Sequence, residues 1–179
     1  MTGPGASTGI LFRDCVIALF IGGIAPFIAG FFFTVPPGAV LALMSATLIL
    51  EYGAVFIGTA LGMDNAITFI IVSLVATGMI FFQLSLFDHV GKSSPRVARF
   101  LERVRSKYGS SPVIKKYGVF ALVPGMLVVG FYACPAVTWL LGWERKIAFS
   151  VMVGTFCAAS AFLLPVSEGF IHWIAGLAS

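Results

Sequence analysis

Residues 37–63 read PGAVLALMSATLILEYGAVFIGTALGM, and Glu51 is the only charge among them. A carboxylate in so apolar a run is expensive in a bilayer unless it faces a polar or wet protein interior. Glu51-Tyr52-Gly53 falls near the middle, where glycine loosens the backbone. Either the run crosses a membrane with a buried acid halfway, or it turns back at that point. The rest of the chain decides between these.

Hydrophobic residues make up 59% of the 179 and charged residues 10%, against about 25% charged in soluble domains. The mean hydropathy is +1.05. Apolar stretches at 15–34, 38–63, 66–87, 117–143 and 147–166 each have the length needed to cross the hydrocarbon core, about 20 residues. The composition predicts one all-α integral membrane domain over 1–179, with 167–179 a short tail. The start lacks a basic n-region, so the first run is expected to be a retained helix.

The pI of about 9.2 raises nucleic acid as a partner, but the distribution of charge argues for membrane lipids instead. Eight of the 11 basic residues lie between Lys92 and Lys116, as the positive-inside rule produces in a cytoplasmic loop. Within it Ser94-Pro95 signals a helix start. Val97, Phe100, Leu101 and Val104 recur at helical spacing with Arg96, Arg99, Arg103 and Arg105 around them. An amphipathic helix within 91–112 is expected on the cytoplasmic face of an inner or plasma membrane, those arginines touching lipid headgroups.

The basic loop divides the chain into halves of the same order. Each has an interrupted apolar segment, 38–63 or 117–143, then a smoother one. Pro124-Gly125, Gly130 and Cys134-Pro135 interrupt the second. If both interrupted segments cross the membrane, Arg13, Arg145 and Lys146 all fall outside. If both are re-entrant hairpins, every basic residue falls on the cytoplasmic side. The charge rule therefore predicts three transmembrane helices and two opposed re-entrant hairpins in an inverted repeat, a transporter signature with its site near the midplane. The hairpin tips, Glu51-Tyr52-Gly53 and the 124–135 region, are expected to face one another there.

At these residues the chain resembles a known family. Gly53-Ala54-Val55-Phe56-Ile57-Gly58-Thr59-Ala60-Leu61-Gly62-Met63 is similar to the glycine-patterned hairpin of the small multidrug export protein family, relatives of the DedA or VTT-domain membrane proteins. Lys116-Tyr117-Gly118, Gly130, Tyr132 and Leu140-Leu141-Gly142 resemble its second hairpin. The resemblance implies facing re-entrant hairpins and movement of small amphiphiles, lipids or lipid carriers. The chain departs from the family where Tyr52 takes a basic position, where Phe56 replaces a proline, and in having no basic residue between Lys116 and Arg145.

The candidate substrate or proton pathway comprises Glu51, Tyr52, Gly53, Asp64, Pro124, Gly125, Gly130, Tyr132 and Pro135. Glu51 is the protonatable group, or else a tether for the backbone of the turn. Asp64, ahead of a long apolar helix, is an expected N-cap with a second role at the outer mouth. Tyr52 and Tyr132 suit aromatic packing or a cavity wall. Asp88, His89 and His172 suit the membrane interface. Cys15, Cys134 and Cys157 have neither disulfide nor metal spacing. No phosphate loop, HExxH or triad occurs, so neither an enzyme nor a cofactor or metal is expected. The rival class is a scaffold, homo-oligomeric or an accessory subunit of a larger membrane complex.

Overall fold

In the computed structural model, residues 4–93, 102 and 118–178 are described. Arg96, Arg99, Arg103 and Arg105, with the rest of the expected amphipathic helix beyond Ser93, lie outside them apart from Glu102. Among the described residues all regular structure is helical and there is no strand. The α-helices are α1 Pro4–Leu19, α2 Ala25–Phe32, α3 Pro37–Leu50, α4 Ala54–Ala60, α5 Asn65–Ser93, α6 Leu122–Val129, α7 Ala133–Leu141 and α8 Arg145–Ala178. Four stretches are long and apolar enough to cross a membrane: Leu11–Phe32, Pro37–Ala60, Asn65–Val90 and Arg145–Ile171. These mark a membrane protein.

The chain divides into two compact units, one of 1–18 with 79–155 and the other of 19–78 with 156–179. The sequence suggests a single domain because each unit is assembled from distant segments, with no linker between them. Both long helices, α5 and α8, contribute a segment to each unit.

In the second unit, glycines set the packing. Helices in lipid gain little from the hydrophobic effect, so close van der Waals approach holds them together. A Cβ built on Gly22 would lie 3.2 Å from the Cα of Gly78 on α5. Gly22 and Gly23 lie in a π-helical turn, Phe20–Ile24, that joins α1 to α2. One built on Gly30 of α2 would lie 2.5 Å from Val40 Cγ2 on α3, and one on Gly58 of α4 would collide with the buried Thr68 side chain on α5. On another side α4 meets α8: Thr59 Oγ1 and Ser167 Oγ share a hydrogen bond of 2.8 Å, and Phe56 packs edge-on against Phe170.

The 37–60 stretch is not one straight helix. It breaks at a 3-10 turn, Glu51–Gly53, and α3 and α4 touch across the break more extensively than a straight helix allows. In the first unit the same happens at Gly130. Residues nine apart on a straight helix are about 13.5 Å apart along its axis, yet Cys134 Sγ lies 3.5 Å from where a Cβ on Gly125 would sit. Helices α6 and α7 therefore lie side by side, with Leu122, Met126, Phe131 and Cys134 buried. Pro165 does not end the last helix, which runs to Ala178 through the stretch the sequence sets apart as a tail.

Candidate functional site

Glu51 has φ 53° and ψ −112°, a positive-φ conformation rare outside glycine. Holding a non-glycine residue there costs on the order of 1–3 kcal/mol, and such residues cluster at functional sites. Its N–H still donates to the Thr47 carbonyl, ending α3. The Glu51 side chain is half-buried. Tyr52 stacks on Phe156 with ring centroids 4.8 Å apart, the aromatic packing its sequence context suggests. Gly53 leads into α4 with ordinary helical dihedrals, φ −64° and ψ −17°.

Asp64 caps α5: its Oδ1 accepts the Ala66 N–H at 2.8 Å. It is exposed. Beside it Asn65 Nδ2 donates to Glu168 Oε1 at 2.7 Å. The preceding helix α4 closes on Gly62, at φ +70°, with Met63 N–H donating to Gly58 O at 3.1 Å. That is a Schellman ending, which favours glycine in the left-handed region.

In the first unit the break falls at Gly130, φ 84° and ψ −179°, a region essentially reserved for glycine. Pro124 and Pro135 interrupt nothing. Each is the third residue of its helix, within the first turn, where the missing N–H has no intrahelical partner to lose. Pro124 is exposed and Pro135 buried, while the exposed Tyr132 packs against the neighbouring Phe131 ring at 4.5 Å. Helix α7 then ends as α4 does, on Gly142 at φ 71°, with Trp143 N–H donating to Thr138 O at 3.2 Å. Leu61-Gly62-Met63-Asp64 and Leu141-Gly142-Trp143-Glu144 thus make the same turn. Each follows a broken pair of short helices and precedes a long one. This four-residue repeat was legible in the sequence and is a sharper mark of two matching halves than the interruptions. Of the candidate pathway residues, Glu51, Tyr52, Gly53 and Asp64 belong to the second unit, and the five from Pro124 to Pro135 to the first.

The first unit also holds a charged cluster that sequence reasoning missed. Arg145, at the start of α8, reaches Asp14 Oδ2 at 3.5 Å and Asp88 Oδ2 at 3.4 Å. Its Nη2 donates to Ser85 Oγ, and Ser85 Oγ is itself 3.2 Å from Asp14 Oδ2. Arg13 Nη2 lies 3.4 Å from the other Asp14 oxygen. The guanidinium of Arg145 also sits over the Phe81 ring, 4.9 Å from its centroid, a favourable cation–π placement. The Asp14 side chain is only 8% exposed and that of Arg145 32%. Strong charge-assisted pairs close to about 2.7–2.9 Å, so these contacts at 3.4–3.5 Å are loose. A cavity of about 290 Å³ lies alongside, lined by Arg13, Asp14, Phe81, Arg145, Lys146 and Phe149. The one signal in the sequence was an Arg-Asp pair at the mouth of the first apolar run. Beyond Arg13, the partners of Asp14 are Ser85 and Arg145, which lie 71 and 131 residues away.

No group of three or more His, Cys, Asp or Glu among the described residues is arranged to hold a metal ion. Among the described residues the fold is all-helical, with two broken helical segments and four stretches long and apolar enough to cross a membrane. No protein-family model, curated protein or solved structure compared with the chain matches it.

Proposed function

We propose that the chain is a membrane translocator of small amphiphiles, lipids or lipid carriers, of the DedA-related kind its glycine patterns resemble, with Glu51 as its working carboxylate. The observation that carries this is the Glu51 backbone, a positive-φ glutamate at the break of an apolar segment. Glycine adopts positive φ without the steric cost, as it does at Gly130. Keeping a glutamate at that cost is most simply explained by what its carboxylate does, whether contacting a headgroup or carrying a proton.

The Arg145 cluster supports re-entrant segments. Each crossing of a bilayer moves the chain to the opposite face, across about 30 Å of hydrocarbon. Three apolar segments, 11–32, 37–60 and 65–90, connect the region of Asp14 to that of Asp88. Three crossings would separate these residues by the membrane thickness. Both instead touch the same guanidinium. Two crossings suit that contact, with 37–60 returning to the face it left. The same count applies between Asp88 and Arg145, where 118–141 must also return. In this arrangement Arg13, the basic loop, Arg145 and Lys146 share one face, which the positive-inside rule makes cytoplasmic.

The test is flux in proteoliposomes. Wild type is expected to move a fluorescent amphiphile across the bilayer, and Glu51→Gln to slow that movement by about tenfold or more, as loss of a protonatable group in the pathway implies. Equal rates would remove Glu51 from the pathway. An absence of flux for wild type, together with stoichiometric co-purification with other membrane subunits, would favour a scaffold.

A further inference from the structure

We infer that the cavity beside Asp14 and Arg145 binds the anionic headgroup of an amphiphile, its chain lying against Phe81 and Phe149. Three cations line it, Arg13, Arg145 and Lys146, against the single carboxylate of Asp14. Asp88, 3.4 Å from Arg145, offsets one more charge. One positive charge is left over, and it is concentrated at Lys146, which forms no ion pair among the described residues and is exposed. Asp14 does not repel an incoming anion strongly, because Arg13, Ser85 and Arg145 already surround it. Arg145 Nη1 and Nη2 are already engaged by Asp14, Asp88 and Ser85, so the ligand oxygens fall to Arg13 and Lys146, and the Arg145 guanidinium adds its charge from beside them. That guanidinium is held in place by Ser85 and by the face of Phe81.

Part of the lining is apolar. Phe81 and Phe149 meet edge to face with centroids 6.0 Å apart. A cavity of about 290 Å³ is at the small end for ligand sites, which run from roughly 300 to 1,000 Å³. It therefore takes a headgroup and the first carbons of a chain, with the remainder outside. A lining that combines cations with phenyl rings suits an amphiphile better than free phosphate. None of the expected pathway residues lines this cavity, so it is a second site. It rests on the membrane reading of the chain, because the ligand arrives from the lipid phase.

The experiment is equilibrium binding to the full chain in neutral detergent, with dihexanoyl phosphatidic acid as probe and dihexanoyl phosphatidylcholine and inorganic phosphate as comparisons. The acid is expected to bind at least about tenfold more tightly than either, a difference of about 1.4 kcal/mol. Arg13→Gln/Lys146→Gln is expected to lose most of that preference while keeping Asp14, Ser85 and Arg145 in contact. Lys146→Gln alone, exposed and without a packing role, is expected to lose part of it, and serves if the double variant folds poorly. Equal binding of phosphatidylcholine, or unchanged affinity in both variants, would overturn the site. Phosphate binding as tightly as the lipid would overturn the amphiphile and leave a soluble anion. Failure of binding with flux intact would remove this site and leave the translocator standing. Loss of flux in Glu51→Gln with binding intact would separate the two sites.

Discussion

Arg145→Ala is expected to destabilise the protein by about 2–3 kcal/mol in reversible unfolding in mixed micelles. The residue left behind sets the cost. Asp14 is 8% exposed on its side chain, and removing the partner of a buried ion costs about 3–5 kcal/mol because the remaining charge stays desolvated. Two features reduce the figure here. Arg145 itself is 32% exposed, and Arg13 remains 3.4 Å from the other oxygen of Asp14. Adding Asp14→Asn to Arg145→Ala is expected to restore most of the loss, since an amide tolerates burial beside Ser85 without a countercharge. Asp88→Asn should cost under about 1 kcal/mol, because that carboxylate is 40% exposed and exposed pairs contribute little. Equal stability of Arg145→Ala and wild type would mean that the cluster does not hold these three helices together.

The two helix breaks should respond to substitution with opposite signs. Gly130→Ala is expected to cost about 1–3 kcal/mol, because φ 84° with ψ −179° is a region side chains do not enter. The buried neighbourhood of Phe131 offers little room to relax. Glu51→Gly is expected to be neutral or stabilising by up to about 1 kcal/mol, because glycine adopts positive φ without the steric penalty. The same variant lacks the carboxylate and should lose flux. A protein that becomes more stable as it becomes less active is the signature of strain kept for function. If Glu51→Gly is instead destabilising by 2 kcal/mol or more on the unfolding scale of small domains, the carboxylate is a structural tether for the turn.

The membrane class was legible because it needs only composition and the lengths of apolar runs. The turn at Glu51 was legible because a lone acid and a glycine interrupt an apolar stretch. Its positive φ was not, since nothing in the residue type announces a glycine conformation at a glutamate. The prolines of the second segment misled for a local reason: Pro124 and Pro135 read as breaks by residue type, yet each sits in a first helical turn, and Gly130 alone makes the bend. The 166 boundary misled as well, because α8 continues through Pro165 to Ala178. The division into two units was hidden because 1–18 joins 79–155 and 19–78 joins 156–179. The Asp14 cluster was hidden for the same reason: four residues meet that lie on three segments of the chain, and each alone resembles an interfacial charge.

The central claim is that 37–60 leaves and re-enters the same face of the membrane, which brings Glu51 to the tip of a turn. The most direct test is labelling of single cysteines at positions 37 and 64 with a membrane-impermeant maleimide, in a background where Cys15, Cys134 and Cys157 are replaced. Both positions should be labelled from the same side, the side opposite a cysteine at position 92. Labelling of 37 and 64 from opposite sides would make the segment an ordinary crossing and contradict the account.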